Sequence, residues 1–140
     1  MSKERNAAAL TKFAEAVNTG RYDLFDDVVA ADAVDHDPAP GQVPGPKGYL
    51  ALFTEMRRAF PHMKVEVAEL VASEDAIAFA YTFIGTQDGA LMGVPATGKK
   101  VKIRGMQISK FSDGKMVERW GSSDQLGILQ QIGAKVVPKP

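Results

Sequence analysis

Residues Arg104 to Gly133 read R-G-M-Q-I-S-K-F-S-D-G-K-M-V-E-R-W-G-S-S-D-Q-L-G-I-L-Q-Q-I-G. The stretch predicts a strand, a tight turn at Ser112-Asp113-Gly114, a return strand and a short helix over 125–132. Asp tolerates left-handed angles and Gly supplies positive φ at little steric cost, so the turn residues support a hairpin. Asp124 falls where the return strand ends and the helix begins. A carboxylate there has two readings. It is a good N-cap for the helix, since Ser122-Ser123-Asp124 offers the residue types that bond the first free amides. It is also a candidate acid/base, if apolar neighbours such as Trp120, Leu126 and Ile128 enclose it and disfavour its charged form.

Upstream of the hairpin the pattern stays extended. Ile77, Phe79, Tyr81 and Phe83 alternate with Ala76, Ala78, Ala80 and Thr82, and Met63, Val65 and Val67 alternate with Lys64, Glu66 and Ala68. Both are period-two runs that predict strands. Leu70-Val71 interrupts the second run, as a bulge or burial on both sides would. A loop over 87–98 then leads into the strand starting at Lys100. Within that strand, alternation puts Ile103, Gly105 and Gln107 on one face and Arg104, Met106 and Ile108 on the other.

The first sixty residues have helical periodicity instead. Leu10, Phe13, Ala14 and Val17 form a stripe ended by Asn18-Thr19-Gly20, and a second short helix is expected over 23–29. Ala33 to Pro38 is extended, because Pro38 disfavours helical angles at Asp37. Pro46 suits the first turn of a third helix, whose apolar face is Tyr49, Leu52, Phe53, Met56 and Phe60. Three helices, four consecutive antiparallel strands and a final helix define an α+β domain. One domain over 1–135 is expected, with 136–140 as a frayed tail.

Composition narrows the function. The 140 residues carry 17 basic and 17 acidic side chains, 45% hydrophobic residues and no cysteine. Neutral charge balance leaves no electrostatic footprint for nucleic acid or an anionic membrane. Without cysteine there are no disulfides, thiolate metal sites or cysteine nucleophile. No run reaches the roughly 18 apolar residues of a membrane span, and the polar start lacks a secretory pattern. A cytoplasmic location is the expectation.

Other candidates come with their plainer readings. His36 could donate to a substrate oxygen or titrate near neutral pH; equally, it could tie down the proline-rich loop that follows it. Asp35-His36-Asp37 is not read as a metal site, since neighbours in an extended segment point to opposite faces. Gly93-Val94-Pro95-Ala96-Thr97-Gly98-Lys99 precedes a strand and does not open a helix, so it is no phosphate loop. No cofactor is expected. Gln107 is the neutral amide best suited to meet a carbonyl without burying charge. Tyr49, Phe53, Met56, Phe79, Met92 and Trp120 are candidate lining for a substrate pocket, and each is equally a core residue, with Met92 placed on a loop that could serve as a lid.

Four segments together resemble the SnoaL-like polyketide cyclase (ester cyclase) family of the nuclear transport factor 2-like superfamily. They are Asp35-His36-Asp37-Pro38, Gly93-Val94-Pro95-Ala96-Thr97-Gly98-Lys99-Lys100-Val101, Phe111 to Trp120 (F-S-D-G-K-M-V-E-R-W) and Asp124 to Gly133 (D-Q-L-G-I-L-Q-Q-I-G). The resemblance implies a curved sheet and helices around a cone-shaped pocket, and a homodimer formed across the sheet. It implies an aspartate near the end of the last strand as acid/base for an aldol-type ring closure, a position matched by Asp124. It also implies histidine on the penultimate strand, where this chain has Gln107. The function expected is therefore a cofactor-independent cyclase, or a related isomerase or hydrolase, acting on a small apolar carbonyl-bearing molecule with Asp124, His36 and Gln107. The alternative is a non-catalytic ligand-binding or dimerisation module.

Overall fold

A computed structural model describes residues 3–135; the expected tail at 136–140 lies outside them. Helix α1 (Lys3–Thr19) is followed by a single 3₁₀ turn (Tyr22–Leu24), a one-turn helix α2 (Phe25–Val28) and strand β1 (Val29–Asp35). Helix α3 (Pro46–Ala59) leads into β2 (Lys64–Ala72), β3 (Ala76–Thr86), β4 (Lys100–Ser112) and β5 (Lys115–Ser123), and α4 (Gln125–Gln131) follows. The five strands form one sheet in the order β1-β5-β4-β3-β2. The α+β class and the curved sheet with helices hold as expected.

One strand was not anticipated. The short helix expected over 23–29 is present as a 3₁₀ turn and one α-helical turn that end at Val28; the chain leaves helical angles at Val29, and β1 runs parallel to β5. Its sequence V-A-A-D-A-V-D carries little of the bulky/polar alternation that identifies a strand, and its pairing shifts register between Val29 and Val34. The ladder that places it depends on a segment more than eighty residues away.

The rest of the sheet is an antiparallel meander, and two irregularities decide which side chains share a face. In β2, Val67 pairs with Tyr81 but Glu69 with Ala80, so Ala68 is the extra residue. In β5, Lys110 pairs with Glu118 but Phe111 with Met116, so Val117 is extra. An inserted residue reverses the alternation beyond it. Hence Val67 and Leu70 share a face, and Trp120 faces away from the side where Met116 is buried. The hairpin turn at Asp113 (φ 52°) and Gly114 (φ 75°) has the left-handed angles its residues suit.

One face of the sheet is covered by the helices. There Ile77, Phe79, Phe83, Val101, Ile103, Phe111 and Met116 pack against Leu10, Val17, Phe25 and Tyr49. Phe13 of α1 lies 4.9 Å from Phe25 and 5.5 Å edge-on from Tyr49, centroid to centroid. Such aromatic pairs add about 0.5–1.5 kcal/mol each beyond area burial, and they lock α3 onto α1. Arg57 continues that lock, donating from Nη2 to the Val17 carbonyl at 2.6 Å and from Nε to the Tyr22 hydroxyl at 3.1 Å. Among the described residues no helix is long and apolar enough to cross a membrane.

Candidate functional site

On the helix-covered face the inward residues of β1, β4 and β5 include a set of polar groups. Cross-strand pairing brings Asp35 opposite Arg119, Ser109 opposite Arg119, and Gln107 opposite Gly121. Arg119 Nη1 donates to both carboxylate oxygens of Asp35 at 3.1 Å, and Nε donates to Gln107 Oε1 at 3.1 Å. Gln107 Nε2 donates to Ser109 Oγ at 3.1 Å. The Tyr49 hydroxyl donates to Asp35 Oδ2 at 3.0 Å, Gln42 Nε2 to the same oxygen at 3.4 Å, and the Asp37 amide to Asp35 Oδ1 at 2.9 Å.

An ion pair taken out of water holds only if its remaining lone pairs and protons are met. The Asp35 side chain is 5% exposed and that of Arg119 18%. Asp35 is closed in by donors on both oxygens, so it has none left for a substrate proton. Tyr49 has its pKa raised well above 10.0, first by burial and then by the Asp35 charge, and so remains a neutral donor. Tyr81, on the same face, is also raised by burial, against the pull of the Arg119 charge and a hydrogen bond with Ser123. Two glycines make room: a Cβ at Gly105 would collide with the Tyr81 ring and hydroxyl, and one at Gly121 with the Arg119 guanidinium.

The three residues expected to act together do not meet. Gln107 is in this cluster. His36 is on the opposite, helix-free face, its ring stacked on Trp120 at 4.5 Å and 12°, with Nε2 2.9 Å from Glu118 Oε2. Asp35 and His36 diverge, as adjacent extended residues do. Asp124 caps α4, accepting from the Gly127 amide at 2.8 Å through Oδ1, and its side chain is exposed. The expectation that Trp120, Leu126 and Ile128 wall it off from water is therefore corrected. Trp120 is on the far side of the sheet, Leu126 is half exposed, and only Ile128 is buried.

The lining candidates divide likewise. Tyr49 and Phe79 are buried, and Phe53 and Met56 are half-buried against the core. Met92, at φ 47° in the Leu91–Val94 turn, is exposed at a loop tip. That loop is held by Gln87, whose amide donates to the Val94 and Pro95 carbonyls and accepts from Thr97. A depression of about 590 Å³ opens on the helix-free face. It is bordered by Val71, Met106 and Ile108 and by three of the expected site residues, Phe79, Gln107 and Trp120.

Asp35, Arg119 and Tyr81 were missed as site residues. Counting back from the turn without a bulge pairs Gln107 with Trp120. The extra Val117 shifts the partner to Gly121 and turns Arg119 inward. The usable signal was weak: Tyr81 shares parity with Phe79, and Gly105 with Gln107, so a hydroxyl opposite a strand glycine could have been noticed.

Comparison with known proteins agrees with this architecture. A family model described as SnoaL-like polyketide cyclase matches residues 7–132. Aklanonic acid methyl ester cyclase DauD of Streptomyces sp. strain C5 is 26% identical over 129 residues, spanning 87% of this chain and 78% of its own. DnrD of Streptomyces peucetius, of the same description, is also 26% identical, over 86% of its length. Among solved structures, IdmH of Streptomyces antibioticus superposes with a TM-score of 0.80 at 30% identity, over 92% of this chain and 99% of its own. TsrD of Streptomyces laurentii superposes at 0.88 with 24% identity, over 96% and 99%, a likeness of fold.

Proposed function

The chain belongs to the SnoaL-like polyketide cyclase family, and from that premise we propose that it is a cofactor-independent enzyme that moves a proton on a small, apolar, carbonyl-bearing molecule and closes a ring in an aldol-type step. The observation that carries this reading is the polar cluster around Gln107 on an otherwise apolar face, because a carbonyl substrate needs hydrogen-bond donors in a place largely shielded from water. The names of the curated relatives support a polyketide ester as the substrate class.

Three carboxylates stand at this end of the sheet. Asp35 is occupied by its own donors. Asp37 Oδ2 accepts from the Gly121 amide at 2.8 Å. Asp124, at the position the family resemblance assigns to the acid/base, gives Oδ1 to the Gly127 amide and has no hydrogen-bond partner on Oδ2 among the described residues. It is the proton acceptor of this proposal, while His36 stays outside it.

The test is enzyme-dependent deuterium uptake, in heavy water, at the carbon between two carbonyls of a panel of poly-keto esters headed by aklanonic acid methyl ester. Wild type is expected to exchange that position, and Asp124→Asn to lose about 10²–10⁴-fold of the rate. Asn caps a helix as well as Asp does, so thermal stability should move by only a few tenths of a kcal/mol. Unchanged exchange in Asp124→Asn would make the residue a cap and nothing more.

A second reading, a ligand-binding or dimerisation module without chemistry, is favoured by the solvent-facing position of Asp124. Binding of the same esters without exchange would establish it. In either reading a second copy of the chain is proposed to cover the helix-free face. Val71 and Met106 are 65% and 68% exposed there beside Ile108, and apolar patches of this kind mark interaction surfaces. A cytoplasmic setting is part of the proposal, in keeping with a chain that carries no cysteine.

A further inference from the structure

Arg119 is half-buried and does not spend all its donors on the protein. Nε is taken by Gln107 and Nη1 by Asp35, whereas Nη2 has no hydrogen-bond acceptor among the described residues. That nitrogen lies against Gly121, where the absent Cβ leaves its approach open. The exposures decide which member of the ion pair a ligand can reach: 18% for the cation, 5% for the anion.

Tyr81 supplies a second donor. Its hydroxyl rests over Gly105, close to Ser123, and feels the Arg119 charge. Gly105 pairs with Ser123, so Gly105 and Gly121 are diagonal neighbours across β4 and β5. Positions so related are about 7–8 Å apart, near enough for side chains above them to converge on one oxygen atom.

We propose that Arg119 Nη2 and the Tyr81 hydroxyl are the oxyanion-binding pair of this site, with Asp35 as the positioning residue that fixes the guanidinium. The inference rests on the reading given under Proposed function and deepens it. The pair receives the carbonyl oxygen of an enolisable substrate. As the adjacent C–H proton passes to Asp124, the C–H electron pair becomes the C=C bond and the carbonyl π pair moves onto oxygen. That oxygen then lies against a cation and a neutral O–H. Re-forming the C=O returns the pair to carbon, which attacks a second carbonyl of the same molecule. The new alkoxide takes the proton back from Asp124. Asp35 cancels the arginine's formal charge, so the site suits a neutral carbonyl that becomes anionic during reaction. A substrate that arrives as a carboxylate meets no net positive charge.

The probe is para-nitrophenol, whose visible absorption reports its ionisation, titrated into the full-length protein. Wild type should shift the bound phenol toward phenolate by at least about tenfold. Arg119→Met should abolish the shift, Tyr81→Phe should reduce it several-fold, and Asp35→Asn should enlarge it by releasing the arginine's charge. A merely structural Arg119–Asp35 pair predicts instead that all three variants ionise the bound phenol as wild type does, and that result would overturn the proposal. If Arg119→Met melts out, Arg119→Lys and Tyr81→Phe carry the test, and an unchanged shift in Tyr81→Phe sinks it. Loss of deuterium exchange on the keto esters with the nitrophenol response intact would refute the enzyme reading and leave the oxyanion pair standing.

Discussion

Each face of the sheet departs from the usual arrangement in its own way. The face roofed by α1, α2 and α3 buries a charged pair, with Tyr49, Gln107, Ser109 and Tyr81 around it. The bare face presents Val71, Met106 and Ile108 to solvent, next to a tryptophan stacked under His36. Simple burial would have put the charges outside and the methionine and isoleucine inside. Departures of this kind are expected where function overrides stability. The roofed face is where chemistry is proposed, and the bare face is where a second copy is proposed to dock.

Unbalancing the roofed face should give the largest effect. Asp35→Ala leaves the Arg119 guanidinium without its counter-charge in a largely dry place, and about 3–5 kcal/mol of stability should be lost in urea denaturation. Gly121→Ala comes next. Its Cβ has to displace the guanidinium, which should cost about 1–3 kcal/mol and remove the nitrophenol response with it.

Alkaline pH probes the same cluster. Tyr49 keeps its proton in the folded protein at pH values where an unfolded tyrosine, near 10.0, has lost it. Its contribution is fully present below that value and is lost as pH rises toward the folded pKa, by up to about 1.4 kcal/mol per pH unit. Tyr81 acts with the same sign. Unfolding midpoints measured from about pH 9 to 11 should therefore fall less steeply in Tyr49→Phe than in wild type. The bare face should respond least in stability and most in assembly. Ile108→Lys should change unfolding free energy by no more than about 0.5 kcal/mol while converting a dimer to a monomer in light scattering.

Local pattern was enough for much of the fold. The α1 stripe, Pro46 at the start of α3, the Asp113-Gly114 turn and the alternation of β3 and β4 are all read within a few residues, and each was found. Gln107 and Arg104 fell on opposite faces as alternation requires. What escaped was non-local. Strand β1 is an alanine-rich segment that pairs with a strand more than eighty positions away, and the extra Val117 leaves no trace in the sequence, whereas the irregularity of β2 shows as the break at Leu70-Val71.

The site was legible to the same extent. Of the polar cluster, Gln107 was a candidate through its residue type and parity, and Tyr49 through the apolar face of its helix. Asp35 and Arg119 were not, since they are 84 residues apart and meet only through β1 and β5. Trp120 was given the parity of Met116 because the bulge that turns it outward was not foreseen, and His36 stacks on it there. Asp124 was read two ways, and the capping geometry is the one the structure displays.

The central claim is that a carbonyl ligand binds under the helices, against Arg119 and Tyr81, and not in the depression on the other side. Side-chain NMR signals tell the two faces apart, because the Arg119 Nε–H reports only the roofed face and the methyl groups of Met106 and Ile108 only the bare one. Titration with para-nitrophenol should shift the Arg119 Nε–H and the Tyr81 ring and leave both methyl groups in place. Shifts confined to Met106 and Ile108, with Arg119 and Tyr81 unmoved, would contradict the account.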